Sequence, residues 1–151
     1  MDEGYSGPTV CKIVGISYRQ LDYWARTDLI RPSLADAAGS GTQRRYSHRD
    51  LVELKVIKSL LDGGVALKSA RRAIEYLRSN LGEDIASANL VLNGASSILA
   101  HSDGELIDIV RQGQGVLNIV PLGGVVDDID AAITELRPVS EPTDKGLRAA
   151  R

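Results

Sequence analysis

The chain has 151 residues, 43% of them hydrophobic and 25% charged, with a formal net charge of −2 and a single cysteine, Cys11. This composition suits a globular protein of the bacterial cytoplasm: one cysteine excludes an internal disulfide, no apolar run approaches a membrane span, and no charged-then-apolar leader opens the sequence. The acidic total conceals a split, because residues 1–80 hold 13 Lys+Arg against 9 Asp+Glu (net +4) and residues 81–151 hold 5 against 11 (net −6), so the first half carries the electrostatic footprint of nucleic-acid binding and the second is expected to face away from DNA or to contact protein.

In chain order, residues 1–7 read as a disordered arm. Thr9 to Val14 is a short helix, Gly15-Ile16 a tight turn, and a second helix starts at Ser17, whose S-x-x-Q pattern with Gln20 is a capping signal. Leu21 and Trp24 sit three residues apart on one buried face, while Arg19, Gln20, Tyr23 and Arg26 project elsewhere. Two short helices with a tight turn make a helix-turn-helix, whose second helix lies in the major groove with its first turns at base edges, here Tyr18, Arg19 and Gln20. Gln suits adenine and Arg suits guanine, whereas Tyr more often holds phosphate or packs on sugar. Taken alone, this helix reads equally as an amphipathic surface helix with solvated Arg and Gln.

The elements that follow favour the first reading. Pro32 ends the helical region and fixes an extended geometry at Arg31, so a strand is expected to start there; Gly39-Ser40-Gly41 supplies a hairpin tip and Thr42 to Tyr46 a return strand. The result is a wing whose Arg44 and Arg45 grip phosphate, with Tyr46 as its anchor. Ser47 and Asp50 open a helix carrying Leu51, Leu54, Ile57, Lys58 and Leu61 at helical spacing, and Asp62-Gly63-Gly64 stops it. Ala66 to Ser79 gives another helix with Ala70, Ala73, Ile74 and Leu77 inward. Its Arg71 and Arg72 are placed to touch the DNA backbone, and Arg78 reads as solvated surface charge.

GISYRQLDYW, DLIRP, TQRRYSHRDL and IKSLLDGGVALKSA, in that order, resemble the DNA-binding domain of the MerR family of bacterial transcription regulators over about residues 8–80. The resemblance implies a winged helix-turn-helix over 8–81, with Tyr18, Arg19 and Gln20 facing bases or phosphates, Tyr23 and Tyr46 touching the backbone, and Arg44 and Arg45 on the wing. It further implies a homodimer on promoter DNA that alters DNA shape and so acts on RNA polymerase indirectly. Three features depart from the family pattern. Asp22 stands where the family often has Arg, and DNA repels it unless an arginine neutralises it. Cys11 lies in the first helix and reads as a small buried residue, while His48 and His101 lack ligand-like spacing, so neither a metal nor a cofactor is expected. After Asn80 no heptads appear, so the long coiled coil through which the family dimerises is absent from the pattern.

Residues 86–137 read as a small α+β effector or oligomerisation domain, which makes the whole chain mainly α with an α+β second part. Asn89 to Leu92 and Ser97 to Ala100 are strands around Asn93-Gly94; Asp103 to Gln112 is a helix with Leu106, Ile109 and Val110 inward; Gly115 to Val120 is a strand; and Leu122 to Leu136 is a helix with the stripe Val126, Ile129, Ile133, Leu136. Gly113-Gln114-Gly115 precedes a strand and lacks a third glycine, which favours a turn over a phosphate loop. Ligand sensing by an unknown effector and oligomerisation both remain open for this part. Residues 138–151 read as a disordered tail. An enzyme needs an activated nucleophile, an acid/base pair or a metal cluster, and the sequence offers none; Asp127, Asp128 and Asp130 read as a solvated helix face. The alternative to a DNA-binding regulator is an interaction module that works through its acidic half without a DNA target.

Overall fold

A computed structural model of the chain describes residues 4–34, 44–80, 88–93, 96–112 and 117–136. Within them the fold is helical with two small antiparallel sheets, the class predicted above. The hairpin tip at 39–41, the turn at Gly94, the 113–115 glycine segment and the tail from 138 lie outside the described residues.

The first departure from the sequence reading comes at the N-terminus. Tyr5 and Ser6, assigned above to a disordered arm, form β1 (Tyr5–Ser6), which pairs antiparallel with β2 (Arg45–Tyr46) in the register Tyr5 to Tyr46 and Ser6 to Arg45. Two residues carry no periodicity, so a pairing with such a distant segment leaves no local signal. Ser6 also caps α1 (Gly7–Val14), its Oγ accepting from the Thr9 N–H at 3.4 Å, with Pro8 in the first turn where a missing N–H costs nothing. Gly15 ends α1 at φ 87°, a left-handed conformation that residues with a Cβ avoid.

Among the described residues, 31–34 form no strand where one was expected to start. The Leu34 N–H donates to the Arg45 carbonyl at 3.1 Å, which joins that segment to β2, whose strand partner among the described residues is β1.

The central element is α3 (His48–Asp62). Asp50 N–H donates to Ser47 Oγ at 3.1 Å and Ser47 N–H donates to Asp50 Oδ2 at 2.9 Å, a reciprocal capping box. Leu51, Leu54 and Ile57 are buried as predicted, joined by Val52, Val56 and Leu60; Lys58 leaves the apolar repeat to pair with Asp62 at 2.6 Å. A helix covered on several sides loses the one-sided stripe that periodicity detects. α4 (Leu67–Ser79) buries Ala70, Ala73, Ile74 and Leu77, the four residues its spacing predicts.

The strands β3 (Asn89–Asn93), β4 (Ser96–Ala100) and β5 (Leu117–Pro121) form an antiparallel sheet in the order β4-β3-β5. Strand alternation sends Leu90, Leu92, Leu99 and Val120 into the core and aligns Ile98, Val91 and Ile119 in one row on the opposite face. The Leu99 N–H donates to Tyr76 Oη at 3.1 Å, which ties the β4 edge to α4. Between β4 and β5, α5 (Asp103–Gln112) has no fully buried residue: Leu106 and Ile109 are half-buried as expected, but Val110, predicted inward, is 47% exposed. A single helix over a three-stranded sheet covers only its nearest side chains, and the margin of a wide apolar arc stays in solvent.

Immediately after Pro121, α6 (Leu122–Leu136) turns most of the predicted stripe inward, Val126, Ile129 and Ile133, but centres its buried face on Leu122, Val125 and Ile129 and leaves Leu136 out. Leu122, Val125 and Ile129 are buried, Val126 and Ile133 are half-buried, and Leu136 is 42% exposed. The buried stripe packs against α1 and α3, so the segments read as 8–81 and 86–137 share one continuous hydrophobic core. A unit of about 50 residues is marginal by itself, and burying α6 against the preceding helices supplies the apolar contact it lacks. His48 Nε2 and Asp130 Oδ1 meet at 2.7 Å across the same junction, with both side chains about half exposed. Surface pairs of this kind contribute little, so His48→Ala is expected to change unfolding stability by about 0.5 kcal/mol at most, measurable as the midpoint shift in a urea titration.

Candidate nucleic-acid interface

α2 (Tyr18–Arg26) divides cleanly into a dry and a wet face. Ser17 Oγ accepts from the Gln20 N–H at 3.0 Å and starts the helix where the capping signal places it. Leu21, Trp24 and Ala25 are buried, at 1%, 2% and 5% exposure. Tyr18 and Tyr23 are 54% and 50% exposed, and Arg19, Gln20 and Arg26 are also exposed. Large planar rings are costly to leave in water, so two of them on one turn-rich face beside three polar planar groups mark a surface built for contact. Ser17, Arg19, Gln20, Tyr23 and Arg26 line one shallow concavity.

Asp22, the residue that threatened to repel DNA, is neutralised from two sides. Arg26 Nε donates to Asp22 Oδ2 at 2.9 Å and Arg44 Nη1 donates to Asp22 Oδ1 at 2.8 Å. The Arg44 hydrogen bond, helped by that of Arg26, holds the Asp22 carboxyl below its ordinary value against the opposing effect of desolvation. Because that pKa is depressed, the pair's contribution is complete at neutral pH and fades only as pH falls through the lowered value. Arg44 therefore joins the segment that enters β2 to the exposed helix, with only 16% of its side chain exposed. Arg45 is half-buried beside it.

Residues 5–77 match the family described as MerR HTH family regulatory protein. Through these residues the chain belongs to the MerR helix-turn-helix family. Curated relatives include uncharacterized HTH-type transcriptional regulators from Mycobacterium tuberculosis and Mycobacterium bovis, each 46% identical over 122 residues, 81% of this chain and 54% of the relative. The chain thus spans about half the length of the curated relatives it matches.

Within the MerR-type module, two residues from the sequence list sit differently from expectation. Tyr46, assigned by resemblance to the DNA backbone, is fully buried in the core, on the strand that pairs with β1. Arg71 donates from Nη1 to the Thr27 carbonyl at 3.2 Å, at the C-terminal end of α2, while Arg72 stays exposed. Arg71 thus supports the C-terminal end of α2.

Arg78 corrects the sequence reading outright. Instead of standing in solvent, it donates from Nη2 to Glu53 Oε1 at 3.0 Å and to the Leu29 carbonyl at 3.2 Å. Glu53, 4% exposed, also accepts from Arg49 Nε at 3.3 Å. Asp50 Oδ2 accepts from both the N–H and the Oγ of Ser33 at 2.8 Å each, so two buried carboxylates of α3 fix the segment that follows α2. A Glu inside an apolar helix pattern was the available signal, since a buried carboxylate needs cationic partners.

Among the described residues no group of three or more His, Cys, Asp or Glu is placed to hold a metal ion, and no helix is long and apolar enough to cross a membrane. Burial raises the pKa of the half-buried Cys11 thiol.

Proposed function

We propose that the chain is a sequence-specific regulator that binds duplex promoter DNA through α2 of its MerR-type module. The observation that carries this reading is the wet face of α2, with exposed Tyr18, Arg19, Gln20, Tyr23 and Arg26 in front of a buried Leu21 and Trp24. In the groove, Arg19 and Gln20 reach base edges, Tyr18, Tyr23 and Arg26 hold the flanking backbone, and Arg44, Arg45 and Arg72 add phosphate contacts. Arg71 and Tyr46 support these from behind. The protein acts as a homodimer on a pseudo-palindrome and reaches RNA polymerase through the shape it imposes on the DNA; its acidic second half carries oligomerisation or effector response.

Two substitutions separate positioning from readout. Gln20→Ala is expected to relax preference at one base position, at a cost of about 1–3 kcal/mol against the preferred base. Arg44→Ala is expected to weaken every duplex alike and to lower the salt slope by about 1, since it removes a phosphate contact and exposes the Asp22 carboxylate. Binding of a panel of single-base operator variants at several salt concentrations tests both. Equal losses on every sequence from Gln20→Ala would remove its readout role.

A further inference from the structure

The large apolar residues that remain exposed among the described residues sort into two groups. Tyr18, Tyr23 and Leu34 lie in or beside the DNA-binding module, whereas Ile98, Ile107, Val110, Ile119 and Leu136, each 38% to 50% exposed, lie in the acidic half. Ile98 and Ile119 flank the buried Val91 on the sheet face opposite the core, and Ile107 and Val110 are on α5, the connection from β4 to β5. Such a cluster in an otherwise charged unit marks an interaction surface.

The charge pattern on α5 identifies its occupant. Asp103, Ile107 and Val110 follow at i, i+4 and i+7 and share one stripe of the helix, with Arg111 beside its far end. A two-fold axis through the middle of this stripe sets α5 antiparallel to its copy. Ile107 then faces the partner's Val110, and Arg111 reaches the partner's Asp103, twice over by symmetry. A parallel arrangement would oppose acid to acid. We propose that this stripe is the homodimer interface: a second copy of the chain docks through α5, without a long coiled coil.

The inference deepens the dimeric reading above and rests on it. Ile107 and Val110 of the two copies make an apolar core smaller than that of a standard interface, so the dimer is in measurable exchange with monomer and tightens when two half-sites bind together. Sedimentation equilibrium of the full 151-residue protein tests it. Wild type is expected to show a monomer–dimer equilibrium, Arg111→Asp and Ile107→Lys each to raise the dissociation constant about tenfold or more, and Asp103→Arg with Arg111→Asp to restore it. These side chains are exposed, and unchanged circular dichroism verifies that the variants fold. A wild type that stays monomeric, or a dimer indifferent to both single changes, overturns the assignment. Binding to a single half-site, measured on the same variants, is expected to be retained. Its loss in wild type would count against the DNA reading, whereas retention beside an unaffected dimer would count against the α5 interface alone.

Discussion

Glu53→Ala is expected to lower unfolding stability by about 3 kcal/mol. The carboxylate is nearly sealed from solvent and accepts from Arg49 and Arg78, with Arg78 also holding the Leu29 carbonyl just beyond α2. Removing it leaves two partly buried guanidinium groups facing each other and releases the segment that sets the angle of α2. Both side chains retain some exposure, 31% for Arg49 and 39% for Arg78, so the effect belongs at the lower end of what breaking a buried pair costs. Urea denaturation gives the stability change, and Glu53→Gln, which keeps the shape and an acceptor but not the charge, is expected to lose less. A midpoint that barely moves for Glu53→Ala would show that the two arginines find water or other partners freely.

Ile129→Ala is the second large effect, at about 2–4 kcal/mol, from the lost transfer of a fully buried side chain and the cavity left between α6, α1 and α3. Its value lies in where the loss is read. The chain has one tryptophan, Trp24, buried on α2 far along the sequence from Ile129. Since the two halves share a core, Trp24 fluorescence and far-UV circular dichroism are expected to report a single transition that Ile129→Ala shifts in both signals together. A Trp24 midpoint untouched by the substitution would mean that the acidic half unfolds as a unit of its own.

Much of the DNA-binding half could be read from the sequence because its signals are local. Ser17 and Ser47 cap where their patterns place them, Leu21 and Trp24 turn inward together, and the four apolar residues of α4 are the four that are buried. What escaped the sequence depends on partners distant along the chain. β1 is two residues long and exists through β2; Arg78 resembles any charge at a helix end until Glu53 is set beside it; and Tyr46 carried a functional expectation that its full burial replaces with a packing role. In the second half the elements were found, and their facing only in part: Leu106, Ile109, Val126, Ile129 and Ile133 turn inward as expected, Val110 and Leu136 do not. The inward stripe of α6 was placed off-centre because α1 and α3, not the sheet alone, decide which side is dry, and Val110 was expected inside because its helical arc is wider than the sheet beneath it. Among the candidate contacts, Arg19, Gln20, Tyr18, Tyr23 and Arg26 do share one exposed face, and the double neutralisation of Asp22 resolves the feature that fitted DNA least.

The most direct measurement of the central claim is selection of bound duplexes from a random pool by the purified protein, followed by titration of the enriched sequence against salt. A specific regulator enriches one motif, with two-fold symmetry from a dimer, and its affinity falls steeply as salt rises because neutralised phosphates release counterions. No enrichment, with weak binding indifferent to salt, would contradict the assignment of α2 as a reading helix and leave its exposed tyrosines and arginines to a protein partner.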